Sequence, residues 1–452
     1  MMWIVLSATA ILGLATIVLI PPWQSPDEPT HFEYAKVLAQ GEYPWSPRPD
    51  FQLQERIIVS LDRYDYWRYV GVERPLPLPK IFRKGPFLSI APTQIGKNPP
   101  LYYFIASLIL RLSPFRSLET ELYLLRIFSL FFTILTVALV GGCAAEVFGR
   151  SSPLVPAAAA AAAFIPQFLV IGTSVSPDPA INFCGAAVIY LTLKFQKTGF
   201  SLSRTIIILL CFGLGLLANY KILILLVALP GVVIIHLLFH RGNDLSPGRA
   251  VGWAGGVFLS LLVGYLALAW YYPSIARLFT ARLNILCSTL VSFLRGQTVF
   301  PPRYWSWFNN ELFKSFWLKY GHLQFELPPA VYLMLKIFSL ISLLGLGLFL
   351  VRWVSARKIP RCREGELVIT LLVFAALALG AYYLFWGLKG ANTTTQGRHL
   401  FLVMPAWAIL ITLGWSSLFP ARWDRSVGYG LLAAFFLLAV VSILFFILPT
   451  FS

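Results

Sequence analysis

The chain has 452 residues, 58% of them hydrophobic and only 12% charged, with a mean hydropathy of +0.73. A soluble domain is about 45–50% apolar and about 25% charged, so soluble globular, disordered and disulfide-framework classes are excluded and a polytopic membrane protein remains. The net charge of +17, from 36 Lys and Arg against 19 Asp and Glu, lies between apolar segments; it belongs to topology and anionic lipid and does not signal nucleic acid.

Residues 2–20 are apolar and uncharged and end at Pro21-Pro22, without the basic start and small-residue cleavage site of a signal peptide, which predicts a retained first span. Further spans are predicted at about 122–147, 153–175, 179–195, 204–219, 222–239, 250–271, 329–351, 367–386, 400–419 and 427–450, eleven in all. The segment 99–112 is too short to cross, since 14 residues rise about 21 Å against a hydrocarbon core of about 30 Å. Charge counting agrees. With 99–112 outside the bilayer and the N-terminus cytoplasmic, five short inside loops hold thirteen basic residues, from Arg150 through Arg425. With 99–112 as a span, all of them land outside, against the positive-inside rule. The expectation is one polytopic domain over 1–452, an interfacial helix at 99–112, and a C-terminus outside. Two extracytoplasmic loops follow, 23–120 and 273–328, both rich in aromatics. Within the second, 279–295 reads as an amphipathic helix through Leu283, Leu286, Leu290, Phe293 and Leu294, and with the aromatic loop Phe300–Phe308 it is expected to roof a groove. The five cysteines show no CxxC or metal-ligand spacing and read as structural.

Chemistry-bearing residues cluster at the outer ends of these spans. Asp27 and Glu28 stand at a helix start with Pro29, and His31 follows one turn later. Carboxylates favour helix N-termini, so capping is the plain alternative to catalysis there. Lys97 precedes the interfacial helix, Arg126 sits in the first turns of the second span, and Asp178 marks the junction of spans three and four. Lys221 interrupts a long apolar run, and Arg398-His399 opens the tenth span. Singly, each has a structural reading as a cap, an anchor or an ion pair. Together they set carboxylates Asp27, Glu28 and Asp178 beside cations Lys97, Arg126, Lys221 and Arg398 on one membrane face, a set suited to a phosphate-bearing lipid headgroup and a base. Asp27 and Asp178 are the pair available to a divalent ion, though neither context dictates one. No P-loop or GxGxxG is present, as a lipid-linked donor requires no nucleotide site.

The stretch WQSPDEPTHFEYA (23–35) resembles the first-loop signature of membrane glycosyltransferases with the C-type (GT-C) fold, among them lipid A aminoarabinose transferases and protein O-mannosyltransferases. More closely, the chain resembles a bacterial membrane family of unknown function taken to be such transferases. The matching pieces run the whole length: PDEPTHFEYA (26–35), NPPLYYFIA (98–106), SVSPDPAINF (174–183), LGLLANYKILILL (214–226), FWLKYGHLQFELP (316–328) and TQGRHLFLVMPA (395–406). The resemblance implies an all-α bundle in the bacterial inner membrane with an extracytoplasmic active site. It implies an inverting transfer of sugar from a polyprenyl-phosphate donor to a hydroxyl on a glycan or glycolipid. Asp27 matches the catalytic base, with Glu28 beside it, and Lys97, Arg126, Asp178 and Lys221 match positions lining the donor-phosphate and metal region. Residues 45–92 have no counterpart in the motif, and the large soluble C-terminal domain of those enzymes is not among these 452 residues. Two alternatives stand beside this reading, a transporter or flippase for a lipid-linked saccharide and an O-antigen polymerase or ligase. A transporter is expected to carry charges at the bilayer midplane on broken helices, whereas these gather at the outer boundary. A polymerase or ligase is expected to expose Arg and His in a large late loop, whereas the DE pair is early.

Overall fold

The computed structural model describes residues 1–75, 87–225, 300–355, 362–389 and 395–451, except 45, 89 and 199–200, with isolated positions between 228 and 296. Among the described residues the structure is helical apart from one hairpin of two two-residue strands. The first span is α1 (Met2–Leu19), ended by Pro21-Pro22. Four short helices follow: α2 (Glu28–Ala39), α3 (Phe51–Arg63), α4 (Tyr66–Val70) and α5 (Leu101–Leu112). Their apolar sides pack on one another and on the start of the long α6 (Leu118–Phe148), around Trp23, Phe32, Ile57, Tyr103 and Leu122. The segment expected as an interfacial helix is α5, whose 12 residues rise about 18 Å, short of the bilayer core.

The next apolar segment is bent. Helix α7 (Leu154–Ala163) carries the alanine tract, every residue of it buried, and α8 (Pro166–Gly172) departs from it at 62°. Pro166 supplies the break, since it has no N–H to give the preceding turn. Helices α9 (Asp178–Thr198) and α10 (Leu202–Ala218) return the chain to the face from which α1 emerges, where a 3₁₀ turn (Tyr220–Ile222) carries Lys221. The expected spans at 222–239 and 250–271, and the amphipathic helix at 279–295, fall mostly outside the described residues. The aromatic segment expected as a loop at 300–308 is instead part of a helix, α11 (Pro302–Trp317). Its apolar side is buried at Phe308, Leu312 and Trp317, and that burial outweighs the turn-forming Pro301-Pro302, which serves as a helix start. The hairpin β1 (Lys319–Tyr320) and β2 (Phe325–Glu326) leads into α12 (Pro329–Ser355). Helix α13 (Cys362–Phe385), a 3₁₀ segment (Gly397–Val403) and α14 (Met404–Ser417) follow. The chain closes with α15 (Asp424–Ser442), a π turn (Ile443–Ile447) and α16 (Leu448–Phe451).

Among the described residues, six helices are long and apolar enough to cross a membrane, or seven when α7 and α8 count as one broken span. The C-terminal end returns to the face of the first loop: the Tyr69 and Phe451 rings lie 4.9 Å apart, and the Tyr320 hydroxyl donates to the Phe446 carbonyl at 2.8 Å. Small residues close the bundle. A Cβ on Gly345 of α12 would lie 1.8 Å from the Gly414 carbonyl oxygen of α14, so these helices meet backbone to backbone.

Candidate active site

The turn between α1 and α2 is held in an unusual conformation. Trp23 and Asp27 both have positive φ, 74° and 59°. Asp is among the few non-glycine residues that accept this region. The Trp23 side chain is wholly buried and donates through Nε1 to Ser60 Oγ at 2.9 Å. Asp27 is the N-cap residue of α2, yet its carboxylate makes no capping hydrogen bond. Asp27 therefore stands at the helix N-terminus without the capping hydrogen bond, and its side chain faces elsewhere.

The adjacent carboxylates diverge completely. The Glu28 side chain has no exposure and takes two hydrogen bonds from the Arg126 guanidinium, at 2.9 Å from Nε and 2.7 Å from Nη2. Its oxygens also accept the backbone N–H of Trp23 at 3.1 Å and of Val175 at 3.2 Å. Arg126 gives its other donors to the carbonyls of Ile17, Ile20 and Pro21. All five guanidinium N–H groups are thus satisfied within the protein. Arg126, expected at the donor phosphate, and Glu28, expected beside the base, form instead a buried clamp between α1, α2, α6 and the end of α8. A second tie, Lys36 to Glu121 at 2.5 Å, fixes α2 to α6 further along.

Asp27 belongs to a different group. Its Oδ2 accepts from Arg398 Nη2 at 3.1 Å, while Arg398 Nε lies 3.7 Å from Asp178 Oδ2. Asp178 Oδ1 accepts from Lys221 Nζ at 2.6 Å. The result is a chain of alternating charge, Asp27–Arg398–Asp178–Lys221, drawn from the α1–α2 turn, the 3₁₀ segment before α14, the start of α9 and the turn after α10. Asp27 is its most accessible carboxylate, with a quarter of its side chain exposed, and Arg398 Nε has no hydrogen-bond partner among the described residues. The divalent-ion pair named from the sequence, Asp27 and Asp178, has the Arg398 guanidinium between its members, which does not suit a metal. Among the described residues no group of three or more His, Cys, Asp and Glu converges.

His31 lines the same region, one turn beyond Asp27. Its Nδ1 lies 2.8 Å from the Tyr103 hydroxyl, which also accepts from Asn98 at 3.4 Å. Burial pushes the His31 pKa down to about 4. His399 stacks on Trp386 at 4.9 Å and 10°, behind Arg398. Lys97 is exposed and makes no ion pair among the described residues, so the structure does not join it to the cluster.

Sequence reasoning missed His322 and Tyr66. The hairpin turn places His322 at positive φ, with Nε2 3.1 Å from the Trp23 carbonyl oxygen and its ring edge-on to Tyr66 at 5.0 Å. A carbonyl only accepts, so Nε2 carries the proton and donates. The signal for His322 lay in FWLKYGHLQFELP, where it is the only histidine; nothing in its neighbours tied it to residue 23.

Comparison with known structures identifies the fold. The apo oligosaccharyltransferase of Archaeoglobus fulgidus superposes over all of this chain and 55% of its own, with a TM-score of 0.53 and 12% identity. AglB from the same organism, in complex with an inhibitory peptide and a dolichol-phosphate, gives a TM-score of 0.50 at 13% identity over the same shares. ArnT from Cupriavidus metallidurans bound to undecaprenyl phosphate covers 99% of this chain and 74% of its own at 13% identity, with a TM-score of 0.49. The chain spans about half the length of the oligosaccharyltransferase it matches. No curated protein matches it in sequence. The architecture is that of the GT-C membrane glycosyltransferases. The model of the family described as "Predicted membrane protein (DUF2142)" matches residues 10–407, and this multi-pass membrane chain belongs to that family.

Proposed function

We propose that the protein is a GT-C-type glycosyltransferase that moves a sugar from a polyprenyl-phosphate donor to a hydroxyl acceptor, a glycan or glycolipid, at the extracytoplasmic face of a bacterial inner membrane. The observation that carries this reading is the partly exposed Asp27 carboxylate, uncommitted to its own helix, at one end of the Asp27–Arg398–Asp178–Lys221 chain. The fold supports it, since an oligosaccharyltransferase of the same fold is known in complex with dolichol-phosphate.

The chemistry asks for two things. The acceptor hydroxyl must lose a proton as its oxygen attacks the anomeric carbon, and the phosphate must take the electron pair of the breaking C1–O bond. Asp27 removes the proton as general base. Lys221 and Arg398 hold the phosphate, whose negative charge increases in the transition state. A base carboxylate acting on the acceptor, with no enzyme nucleophile, gives a single displacement and inversion at C1. In the resting protein the two cations are balanced by Asp27 and Asp178. The donor phosphate would draw Arg398 from Asp27 and leave that carboxylate free for the acceptor. Glu28 and Arg126 act indirectly, by fixing the strained turn that holds Asp27. His31, His322 and Tyr66 lie near Asp27.

The test is sugar transfer by the purified protein from a defined polyprenyl-phosphate sugar. Asp27→Asn keeps the size and tolerates the same backbone region, and should lower the rate roughly 10²–10⁴-fold. Transfer at the normal rate by a folded Asp27→Asn protein would overturn the assignment.

A further inference from the structure

Away from the Asp27 chain, α11 and the first turns of α12 enclose an open cleft of about 700 Å³. Arg303, Asn310 and Lys336 supply its polar lining, and Trp307 and Phe313 its aromatic lining. The hairpin after α11 reaches Trp23, so the cleft lies on the same face of the bundle as the candidate active site.

Charge in this region is unevenly matched. Glu311 pairs with Lys319 at 2.5 Å, and Glu326 pairs with Lys314 at 2.5 Å and Lys319 at 2.7 Å. Arg303 and Lys336 have no ion pair among the described residues. Lys336 lies eight residues into α12, about 10 Å along a helix long enough to cross the bilayer. Its neighbours Leu333, Met334 and Ile337 are 59%, 68% and 50% exposed, so this side of α12 meets acyl chains. The lysine bends toward α11, donating to Asn310 Oδ1 at 3.1 Å with its ammonium 5.7 Å over the Phe313 ring. A cation beside hydrocarbon reaches for the headgroup layer, and here the protein gives it a neutral amide and a ring but no counter-charge.

We propose that this cleft binds an anionic phospholipid of the adjacent leaflet. Arg303 and Lys336 hold the headgroup phosphate, Trp307 sits at the glycerol level, and one acyl chain follows Leu333, Met334 and Ile337 down α12. The cation pair selects negative charge, and the apolar strip directly below it selects a lipid over a soluble anion. The site is separate from the Asp27 chain, but α11 joins them. Its opposite side holds the 3₁₀ segment of Arg398, where Ser315 Oγ accepts from the Gly397 N–H at 2.8 Å. A lipid in the cleft therefore packs against the helix that supports that arginine.

The test is native mass spectrometry of the purified full chain with dioleoyl-phosphatidylglycerol, dioleoyl-phosphatidylcholine or inorganic phosphate. The wild type should retain phosphatidylglycerol in preference to phosphatidylcholine, and millimolar phosphate should not displace it. Arg303→Gln with Lys336→Leu should weaken phosphatidylglycerol binding about 30-fold, from roughly 5-fold per cation near a charged headgroup. Arg303→Gln alone changes an exposed first-turn residue and should give the roughly 5-fold step even if the double variant folds poorly. Equal retention of the two lipids, unchanged binding by either variant, or displacement by inorganic phosphate would each overturn the proposal.

Discussion

Adjacent carboxylates with opposite tasks make a sharp test, and Glu28→Gln is the perturbation. The substitution keeps the side-chain shape and one oxygen acceptor but removes the only negative charge paired with Arg126 among the described residues, and the Arg126 side chain is 1% exposed. Ile17, Ile20 and Pro21 offer Arg126 carbonyls but no charge. Breaking one side of a buried, hydrogen-bonded ion pair costs about 3–5 kcal/mol, because the remaining charge stays desolvated. The backbone N–H groups of Trp23 and Val175 also lose a charged acceptor, so the upper half of that range is expected. Asp27→Asn should cost about 1 kcal/mol or less, since its carboxylate is partly exposed and Arg398 keeps Asp178. Thermal unfolding in detergent would therefore separate them: a drop of several degrees for Glu28→Gln and little change for Asp27→Asn. Adding Arg126→Met to Glu28→Gln should recover part of the loss, because the orphaned cation goes with it. Sugar transfer should show the reverse order, with Asp27→Asn the more damaging per folded molecule. If Glu28→Gln melts like the wild type while abolishing transfer, Glu28 takes part in the chemistry and the clamp argument is wrong.

Lys221→Ala should raise the KM for a polyprenyl-phosphate sugar more than it lowers kcat, because it removes a phosphate partner and leaves Asp27 in place; a pure kcat effect in steady-state kinetics would contradict this. Gly345→Ala should destabilise the bundle by about 1–3 kcal/mol or more, read by thermal melting, since the new Cβ meets the Gly414 carbonyl. Burial pushes the Glu33 carboxyl up to about 7 from 4.5, so the folded state keeps a proton there that the unfolded chain has lost. That contribution is full below pH 4.5 and is lost as pH rises through 7. The melting temperature of Glu33→Gln should accordingly gain on the wild type between pH 5 and pH 7, about the two ends of that window, and a constant difference would refute the assignment. A cysteine at Thr450, in a chain with its five native cysteines replaced, should react with a membrane-impermeant maleimide in intact cells; labelling only after lysis would reverse the proposed orientation.

Much of the molecule was legible in one dimension. Apolar runs of span length set the membrane class, the shortness of α5 kept it out of the span count, and Pro21-Pro22 fixed where the first loop begins. Those features depend on local hydropathy and length, which the bilayer reads directly. The helix at 302–317 was not legible, because its helicity depends on burying Phe308, Leu312 and Trp317 against distant segments. The sequence also placed a set of unusual charges at one end of the bundle. It could not say which of them pair, and there the tertiary structure decided. Arg126 finds Glu28 across 98 residues and Arg398 finds Asp27 across 371, and no periodicity encodes such distances. Asp27 and Glu28 are neighbours in the chain, but the left-handed turn at Asp27 sends one carboxylate into a sealed pocket and the other to the Arg398 chain. Burial then separates their tasks: a charge with no exposure must be fully paired, while one that is partly exposed can exchange its partner for a ligand.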